Sequence, residues 1–334
     1  MVAILGPTAA GKSALAVLLA KRFAGEVVAC DSTQVYRGFD IGTAKPTAEE
    51  RCGIAHHLMD LVEPTERFTA GEYRRRALDV LSDLARRERL PIFTVGTGLY
   101  WRALLEGLAD APERCEPLRA RLDAAAVRRG NVYLHRMLQR FDPIAAARIS
   151  SQDRQKLVRA MEVCLLTGKP LTELHRAGRR HLEGYAPIKI GLNPPRAELR
   201  ERIERRVHAM LERGWRAEVV ALLARQTPDL AKPFEFIGYR ELRDHLLHGH
   251  SLPETVASIV QATRQYAKRQ LTWFRRELDV HWFAGCGDDS ETQAAVYTLL
   301  AKRLESPLLA ANPPSDTQAA NASANPIKDA AENV

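Results

Sequence analysis

An eight-residue segment near the beginning of the chain carries the pattern with the clearest chemical meaning. It consists of Gly6, Pro7, Thr8, Ala9, Ala10, Gly11, Lys12 and Ser13. These residues match G-x-x-x-x-G-K-[ST], in which backbone N–H groups surround phosphate oxygens, the lysine reaches the terminal phosphate and the serine ligates Mg²⁺. An apolar run precedes the segment and a helical pattern follows it. The segment predicts a site for a molecule with two or more linked phosphates. The alternative is a glycine-rich turn without a ligand.

A second candidate for chemistry is Asp31, which follows an apolar strand pattern at residues 26–30. A carboxylate followed by short polar side chains in a crevice suits a general base. The alternative is that Asp31 caps the following turn, and the residues alone leave both open. The apolar run at residues 92–95 ends in Gly-Thr-Gly, without the metal-holding aspartate of ATP-hydrolysing enzymes. This difference argues against a motor or a switch.

The first hundred residues alternate strand and helix patterns, and this order predicts an α/β core with a parallel sheet and crossover helices, like that of P-loop NTPases. Strands are expected at residues 2–5, 26–30 and 91–95. A capping box at residues 69–72 predicts a long helix that ends near residue 89. Ligands of such sheets bind at the carboxyl ends of the strands. The loops after these three strands should therefore meet in one crevice.

A helical segment interrupts this core, because strand patterns nearly vanish between residues 113 and 180. Helices are expected at residues 116–129, 132–139, 143–149 and 152–166. Positions 110–180 hold 15 Lys and Arg against 8 Asp and Glu, nearly the whole excess of the chain. A positive helical insertion beside a phosphate site is typical of a surface that binds nucleic acid. A solvated helical cap is the alternative.

Strand and helix patterns return after the insertion. A strand is expected at residues 187–192, followed by a basic helix from residue 195 and another helix from residue 251 to about 278. We therefore predict a core of residues 1–112 and 183–305 with a helical insertion at 113–182. The Ala-, Asn- and Pro-rich residues 306–334 should be disordered.

Composition narrows the class of protein. The 334 residues are 46% hydrophobic and 27% charged, with a net charge of +8, which favours a polyanionic partner. Five cysteines without a C-x-x-C pair argue against zinc and disulfides and indicate a cytoplasmic protein. The histidines at 245, 248 and 250 are expected on the surface. No apolar run is long enough to span a membrane, and nothing in the sequence demands a protein partner or more than a monomer.

Several blocks of the sequence together resemble the tRNA dimethylallyltransferases, also called tRNA isopentenyltransferases. The blocks are Gly6–Ser13, Asp31–Pro46, Gly96–Gly107, Gln155–Val163, Ile237–Arg240 and Thr263–Trp273. They follow the family's order from residue 2 to about residue 283. Two departures are visible: Ala10 stands where the family usually has Ser, and a few residues before the first strand are missing, which leaves open whether Met1 is the natural start.

The resemblance implies transfer of a dimethylallyl group from its diphosphate to N6 of the adenosine 3′ to a tRNA anticodon. Asp31 would then be the general base, with Lys12 and Thr8 also catalytic. The phosphate loop would hold the diphosphate, with Mg²⁺ on Ser13 as cofactor and Arg202 and Arg206 closing over it. Whether ATP also enters the loop is left open.

The resemblance also implies a set of tRNA-contacting residues. These are Asp31, Ser32, Thr33, Gln34, Thr97, Arg119, Gln155, Lys156, Leu157, Val158, Arg159, Tyr239, Arg240, Arg264, Lys268 and Arg275. Thr97 has a second interpretation as part of a turn, and Leu157 and Val158 have a second one as core residues. Solvated arginines are the alternative for Arg202 and Arg206.

Three other functions remain open. A small-molecule kinase would share the phosphate loop and the fold, but it would leave the Asp31–Pro46 block unexplained. An adenylate dimethylallyltransferase would share the chemistry, but a mononucleotide substrate gives no reason for the basic insertion. A non-catalytic RNA-binding module would not need Asp31, Lys12 and Ser13 together.

Overall fold

The computed structural model describes residues 1–109, 111–176, 180–225 and 231–304. The segment expected to be disordered, residues 306–334, lies outside these residues. None of the described helices is both long and apolar enough to cross a membrane.

A parallel sheet forms the centre of the described fold, as predicted. Its strands are β1 (Val2–Leu5), β2 (Gly25–Cys30), β3 (His56–His57), β4 (Leu90–Val95), β5 (Ile188–Leu192) and β6 (Val280–Phe283). Their order in the sheet is β3-β2-β4-β1-β5-β6, and every described pairing is parallel. Because β1, β2 and β4 are neighbours, the loops that follow them lie side by side at one edge. Sequence patterns missed β6, whose residues are only partly buried, and they left open whether the two residues of β3 belong to a loop or to a strand.

Helices connect and cover these strands. In chain order they are α1 (Lys12–Arg22), α2 (Ala48–Arg51), α3 (Ala70–Arg86), α4 (Gly98–Glu106), α5 (Glu116–Arg129), α6 (Asn131–Phe141), α7 (Pro143–Arg148), α8 (Arg154–Thr167), α9 (Leu171–Arg176), α10 (Arg196–Glu212), α11 (Trp215–Ala224), α12 (Tyr239–His248), α13 (Leu252–Phe274) and α14 (Ser290–Leu304). Side-chain caps start several of them: Thr69 accepts from Glu72 N at the start of α3, and Ser251 from Glu254 N at the start of α13. The helices expected in the insertion are present, with ends that differ by at most two residues.

The core divides according to the faces of the sheet. Val2 and Ile4 point to one face and pack with the helices α1 and α14, whereas Ala3 and Leu5 belong to the larger cluster on the other face. Helices α5 to α8 enclose a separate apolar cluster. That separate core agrees with the expected insertion, although the domain boundaries themselves stay predictions.

Candidate active site

The phosphate loop connects β1 to α1 in the strand–loop–helix arrangement that its motif requires. Gly11 precedes α1 with φ 79°, a left-handed conformation that glycine adopts without strain. A Cβ at this position would lie 2.6 Å from Oδ1 of Asp288, so the loop after β6 also excludes a side chain there. The segment Gly6–Ser13 is therefore held tightly against the C-terminal part of the fold.

Lys12 lies inside the loop and its ammonium contacts only backbone oxygens there. Its Nζ donates to the carbonyl oxygens of Gly6 at 2.9 Å and Pro7 at 2.8 Å. Burial lowers the pKa of Lys12 to about 8; the nearby Asp31 opposes this shift, and the positive charge of Arg206 adds to it. A bound diphosphate would stabilise the charged ammonium by its own negative charge.

Asp31 leaves the carboxyl end of β2 half-buried, and its two oxygens have different surroundings. Oδ1 accepts from Thr33 N at 2.8 Å and from Thr33 Oγ1 at 2.7 Å. Among the described residues no hydrogen bond reaches Oδ2, which faces the loop after β4, since a Cβ at Gly96 would lie 2.5 Å from it. Asp31 thus caps the local turn with Oδ1, and Oδ2 has no hydrogen-bond partner among the described residues.

The other polar residues after β2 hold the site loops together. Thr97 Oγ1 accepts from Ser32 N at 2.9 Å and donates to Ser32 Oγ at 3.2 Å. The amide nitrogen of Gln34 donates to the carbonyl oxygens of Thr43 and Ala44 at 3.2 and 3.3 Å. These bonds give Thr97 and Gln34 definite structural roles, whatever they contact in a substrate.

Sequence reasoning missed Gln270, which joins two of the three site loops. Its Oε1 accepts from Thr8 N at 2.8 Å, and its Nε2 donates to the Gly96 carbonyl at 2.8 Å. The Thr8 amide, expected to face the diphosphate, is therefore already engaged by a protein group. Gln270 lies in a block of the sequence that matched the family, but only the tertiary contact reveals what it does.

A cavity of about 340 Å³ opens between the phosphate loop and the residues that follow Asp31. Its polar lining includes Thr8, Ser32, Thr33 and Arg206. Apolar side chains from α10, α11 and the segment before α12 line another part: Ile203, Val207, Met210, Trp215, Phe236 and Ile237. Such a cavity suits a ligand with a charged end and an apolar end.

The two arginines of α10 differ in their surroundings. Arg206 lines the cavity and donates to Thr8 Oγ1 at 3.3 Å. Arg202 donates to the Ala9 carbonyl at 3.0 Å and forms two bonds with the carboxylate of Asp288, at 2.6 and 2.7 Å. Arg206 is therefore available to an anion in the cavity, whereas Arg202 holds the phosphate loop against the loop after β6.

The position of Ser13 suits the role of magnesium ligand that the motif predicts. Its side chain is exposed in the first turn of α1, and within the described part of the chain its hydroxyl has no hydrogen-bond partner. Hydroxyl oxygen is a ligand that Mg²⁺ accepts together with phosphate oxygens and water.

A second group of possible metal ligands is formed by Glu198, Cys286 and Asp289, whose ligand atoms lie within 4.8 Å of one another. Hydrogen bonds already join that trio, from Cys286 Sγ to Glu198 and from Cys286 N to Asp289.

Known proteins resemble this chain in sequence and in fold. The family model described as IPP transferase matches residues 34–277. The tRNA dimethylallyltransferase of Koribacter versatilis is 51% identical over 287 residues, which are 86% of this chain and 93% of that protein.

The chain belongs to the tRNA dimethylallyltransferase family.

Solved structures of the family have the same fold. The tRNA isopentenylpyrophosphate transferase of Bacillus halodurans superposes with a TM-score of 0.67 at 39% identity, covering 91% of this chain and 96% of the other. A eukaryotic dimethylallyltransferase captured acting on tRNA superposes with a TM-score of 0.78 at 25% identity, covering 91% of this chain and 79% of the other. The fold predicted from the family resemblance is confirmed.

Within this family fold, the insertion holds Arg119 and Arg159 around one fully buried carboxylate. Glu162 Oε2 lies 2.7 Å from Arg159 Nη1 and 3.3 Å from Arg119 Nε. Its Oε1 accepts from Cys115 N at 2.8 Å. Burial of a carboxylate is tolerated only with such partners. Both guanidinium groups are thereby fixed in place, and each keeps further N–H donors.

The structure corrects two of the expected tRNA contacts in the insertion. Leu157 and Val158 are 0% and 3% exposed and belong to the apolar core of the insertion, because they lie on the inner face of α8. Their neighbours Gln155 and Lys156 are exposed on the outer face, and Lys156 pairs with Asp153 at 2.5 Å. Of these four residues, Gln155 and Lys156 present their side chains to solvent.

A third correction concerns Tyr239, which is 0% exposed at the start of α12. Its hydroxyl donates to Glu218 at 2.6 Å and accepts from Gly42 N at 3.0 Å, so the side chain serves the core. Arg240 next to it is exposed and pairs with Glu241 at 2.8 Å.

On α13, the expected basic face is accessible. Lys268 and Arg275 are exposed, and Arg264 pairs with Glu204 at 2.8 Å at the surface.

Tyr266 of the same helix lines the cavity, where burial raises the pKa of its hydroxyl and the charge of Asp31 adds to this shift. The Tyr266 hydroxyl therefore stays protonated and can donate a hydrogen bond.

Proposed function

We propose that this chain transfers the dimethylallyl group of dimethylallyl diphosphate to N6 of the adenosine 3′ to the anticodon in tRNA, with release of diphosphate. The observation that carries the proposal is the single cavity that places the phosphate loop and Arg206 beside the loop of Asp31. One site thus offers cations for a leaving diphosphate and a carboxylate for an incoming amine. The name of the Koribacter versatilis relative, tRNA dimethylallyltransferase, and a structural neighbour described as a dimethylallyltransferase acting on tRNA support the proposal.

In this proposal Asp31 accepts the proton that N6 loses as the new N–C bond forms. The exocyclic amine is a weak nucleophile because its lone pair is delocalised into the purine ring. A positioned base contributes about 10²–10⁴-fold to such a step. Oδ2 is the candidate atom, because Oδ1 is already bonded to Thr33.

The leaving diphosphate would be held by Lys12, Arg206 and the hydroxyl of Thr8. Lys12 must turn from the Gly6 and Pro7 carbonyls towards the phosphate oxygens, and its flexible four-carbon stem allows such a movement. Cations in a partly buried site stabilise the charge that develops as the C–O bond breaks. Ser13 would hold Mg²⁺, which adds charge neutralisation when bound.

The acceptor tRNA would lie across the insertion and the basic face of α13. Exposed or partly exposed cations on these two surfaces include Arg119, Lys156, Arg159, Lys268 and Arg275. They would bind phosphates, while an unstacked adenine enters the cavity between Ser32, Thr33 and Tyr266. We also propose that the protein acts as a monomer in the cytoplasm, where all five free cysteines would stay reduced.

The test combines purified protein, Mg²⁺, dimethylallyl diphosphate and unmodified tRNA with adenosine next to the anticodon. We expect a nucleoside that is heavier by one dimethylallyl group, detected by mass spectrometry after digestion. Prenylation of AMP with untouched tRNA would instead identify an adenylate dimethylallyltransferase. Turnover of ATP with a small-molecule acceptor would identify a kinase.

A further inference from the structure

The indole of Trp215 lines the cavity. Trp215 follows the C-terminal end of α10, whereas the phosphate loop contacts the arginines nearer the middle of that helix. Helix α10 contacts that loop through Arg202 and Arg206, and it continues past Met210 before the turn to Trp215. Ile203, Val207 and Met210 share one face at helical spacing and cover about 10 Å of the helix. The apolar lining therefore leads away from the cations and reaches Trp215.

The indole fits only because two glycines leave room for it. A Cβ on Gly42 would overlap Nε1 of the ring, and a Cβ on Gly238 would overlap its Cη2. Trp215 is 2% exposed as a result, although it lines the cavity. A ring packed between two backbone segments cannot move aside without moving the backbone.

Hydrogen bonds fix one of these backbone segments from behind. Glu218 Oε2 accepts from Asp40 N at 3.1 Å and from Ile41 N at 2.9 Å. Glu218 Oε1 accepts from the Tyr239 hydroxyl, which in turn accepts from Gly42 N. The wall of the cavity is therefore rigid on the side where a longer ligand would have to extend.

On this basis we infer that Trp215 limits the prenyl donor to about five carbons. The inference rests on the proposed function and adds the determinant of donor length. The carbon chain of a geranyl group is twice as long as that of a dimethylallyl group. It would extend further along the apolar lining from the phosphate loop and meet the indole of Trp215.

The experiment compares transfer to tRNA from dimethylallyl and geranyl diphosphate under single-turnover conditions. The wild type should transfer the five-carbon group at least about 100-fold faster, because misfit in an apolar pocket has that order of effect. Trp215→Ala should lower this ratio at least tenfold. Trp101→Ala is the matched control, since Trp101 is also fully buried but does not line the cavity; its ratio should stay that of the wild type.

Met210→Ala enlarges the same end of the cavity with a smaller change, and it should lower the ratio about threefold even if Trp215→Ala does not fold. A wild-type ratio near one would overturn the inference. So would folded variants at both positions, checked by circular dichroism, that keep the wild-type ratio. If the wild type transfers neither group, the proposed function itself is wrong, and this result is distinct from a failure of length selection.

Discussion

Thr33 donates two hydrogen bonds to the same carboxylate oxygen of Asp31, from its backbone N at 2.8 Å and from its hydroxyl at 2.7 Å. These bonds orient the carboxylate, and Oδ2 is the atom that the proposed general base would use. The two interpretations that the sequence left open, a cap and a general base, are compatible because each uses a different oxygen.

Replacement of Asp31 tests the proposed base. Asp31→Asn keeps the shape of the side chain but cannot accept the proton, so the single-turnover rate of transfer should fall by about 10²–10⁴-fold. The Kd for tRNA should change less than about threefold, since phosphate contacts dominate binding. Asp79→Asn, on the exposed face of α3, is the control. An unchanged rate in Asp31→Asn would remove this carboxylate from the mechanism.

The role of the Thr33 hydroxyl can be separated from that of its backbone. Thr33→Val removes one of the two bonds to Oδ1 and should lower kcat about tenfold, because a misaligned base transfers protons less efficiently. Thr33→Ser restores the hydroxyl and should recover most of the rate. If serine and valine behave alike in kcat assays, the hydroxyl does not orient Asp31.

The pKa of Lys12, lowered by burial to about 8, predicts a pH dependence of diphosphate binding. The ammonium is charged below this value, and a bound diphosphate favours the charged form and raises the pKa in the complex. The Kd for inorganic diphosphate should therefore be lowest below pH 8 and rise up to tenfold for each pH unit above it.

Lys12→Arg is the control for that titration, because arginine stays charged over the whole range. The difference between wild type and Lys12→Arg cancels the titration of diphosphate itself. Calorimetric series at pH 6 to 10 that run parallel for the two proteins would contradict the assignment.

The predictable parts of this fold are those determined by local pattern. β1 and β4 follow from their apolar runs, the helix α3 follows from its cap at Thr69, and the phosphate loop follows from its motif. Periodicity alone could not decide whether Leu157 and Val158 of the family block point outwards; burial inside the insertion decided it. The role of Gln270 depends on contacts with residues 262 and 174 positions away, which no local pattern encodes.

The insertion should contribute to tRNA affinity through Arg159, whose guanidinium group is held by Glu162. Arg159→Ala should raise the Kd for tRNA and reduce the slope of log Kd against log salt by about one, the signature of one lost phosphate contact. Arg140→Ala, an exposed cation on α6 outside the family blocks, should leave the slope unchanged. Filter binding between 50 and 200 mM salt, the range over which such contacts are resolved, measures both. Equal slopes in Arg159→Ala and wild type would leave this arginine without a role in binding.

Gln270 should couple the stability of the site to donor binding, since it bridges the phosphate loop and the loop after β4 while 7% exposed. Gln270→Leu leaves the Thr8 N–H without its partner and the Gly96 carbonyl with only the longer bond from the Tyr266 hydroxyl at 3.5 Å. A buried polar group that loses its partner costs about 1–3 kcal/mol. We therefore expect a lower Tm and a higher KM for dimethylallyl diphosphate. Gln270→Glu retains an acceptor for Thr8 N, so its KM should lie closer to that of the wild type although its Tm also falls. If both variants raise KM equally, the Thr8 bond is not what prepares the phosphate loop for the donor.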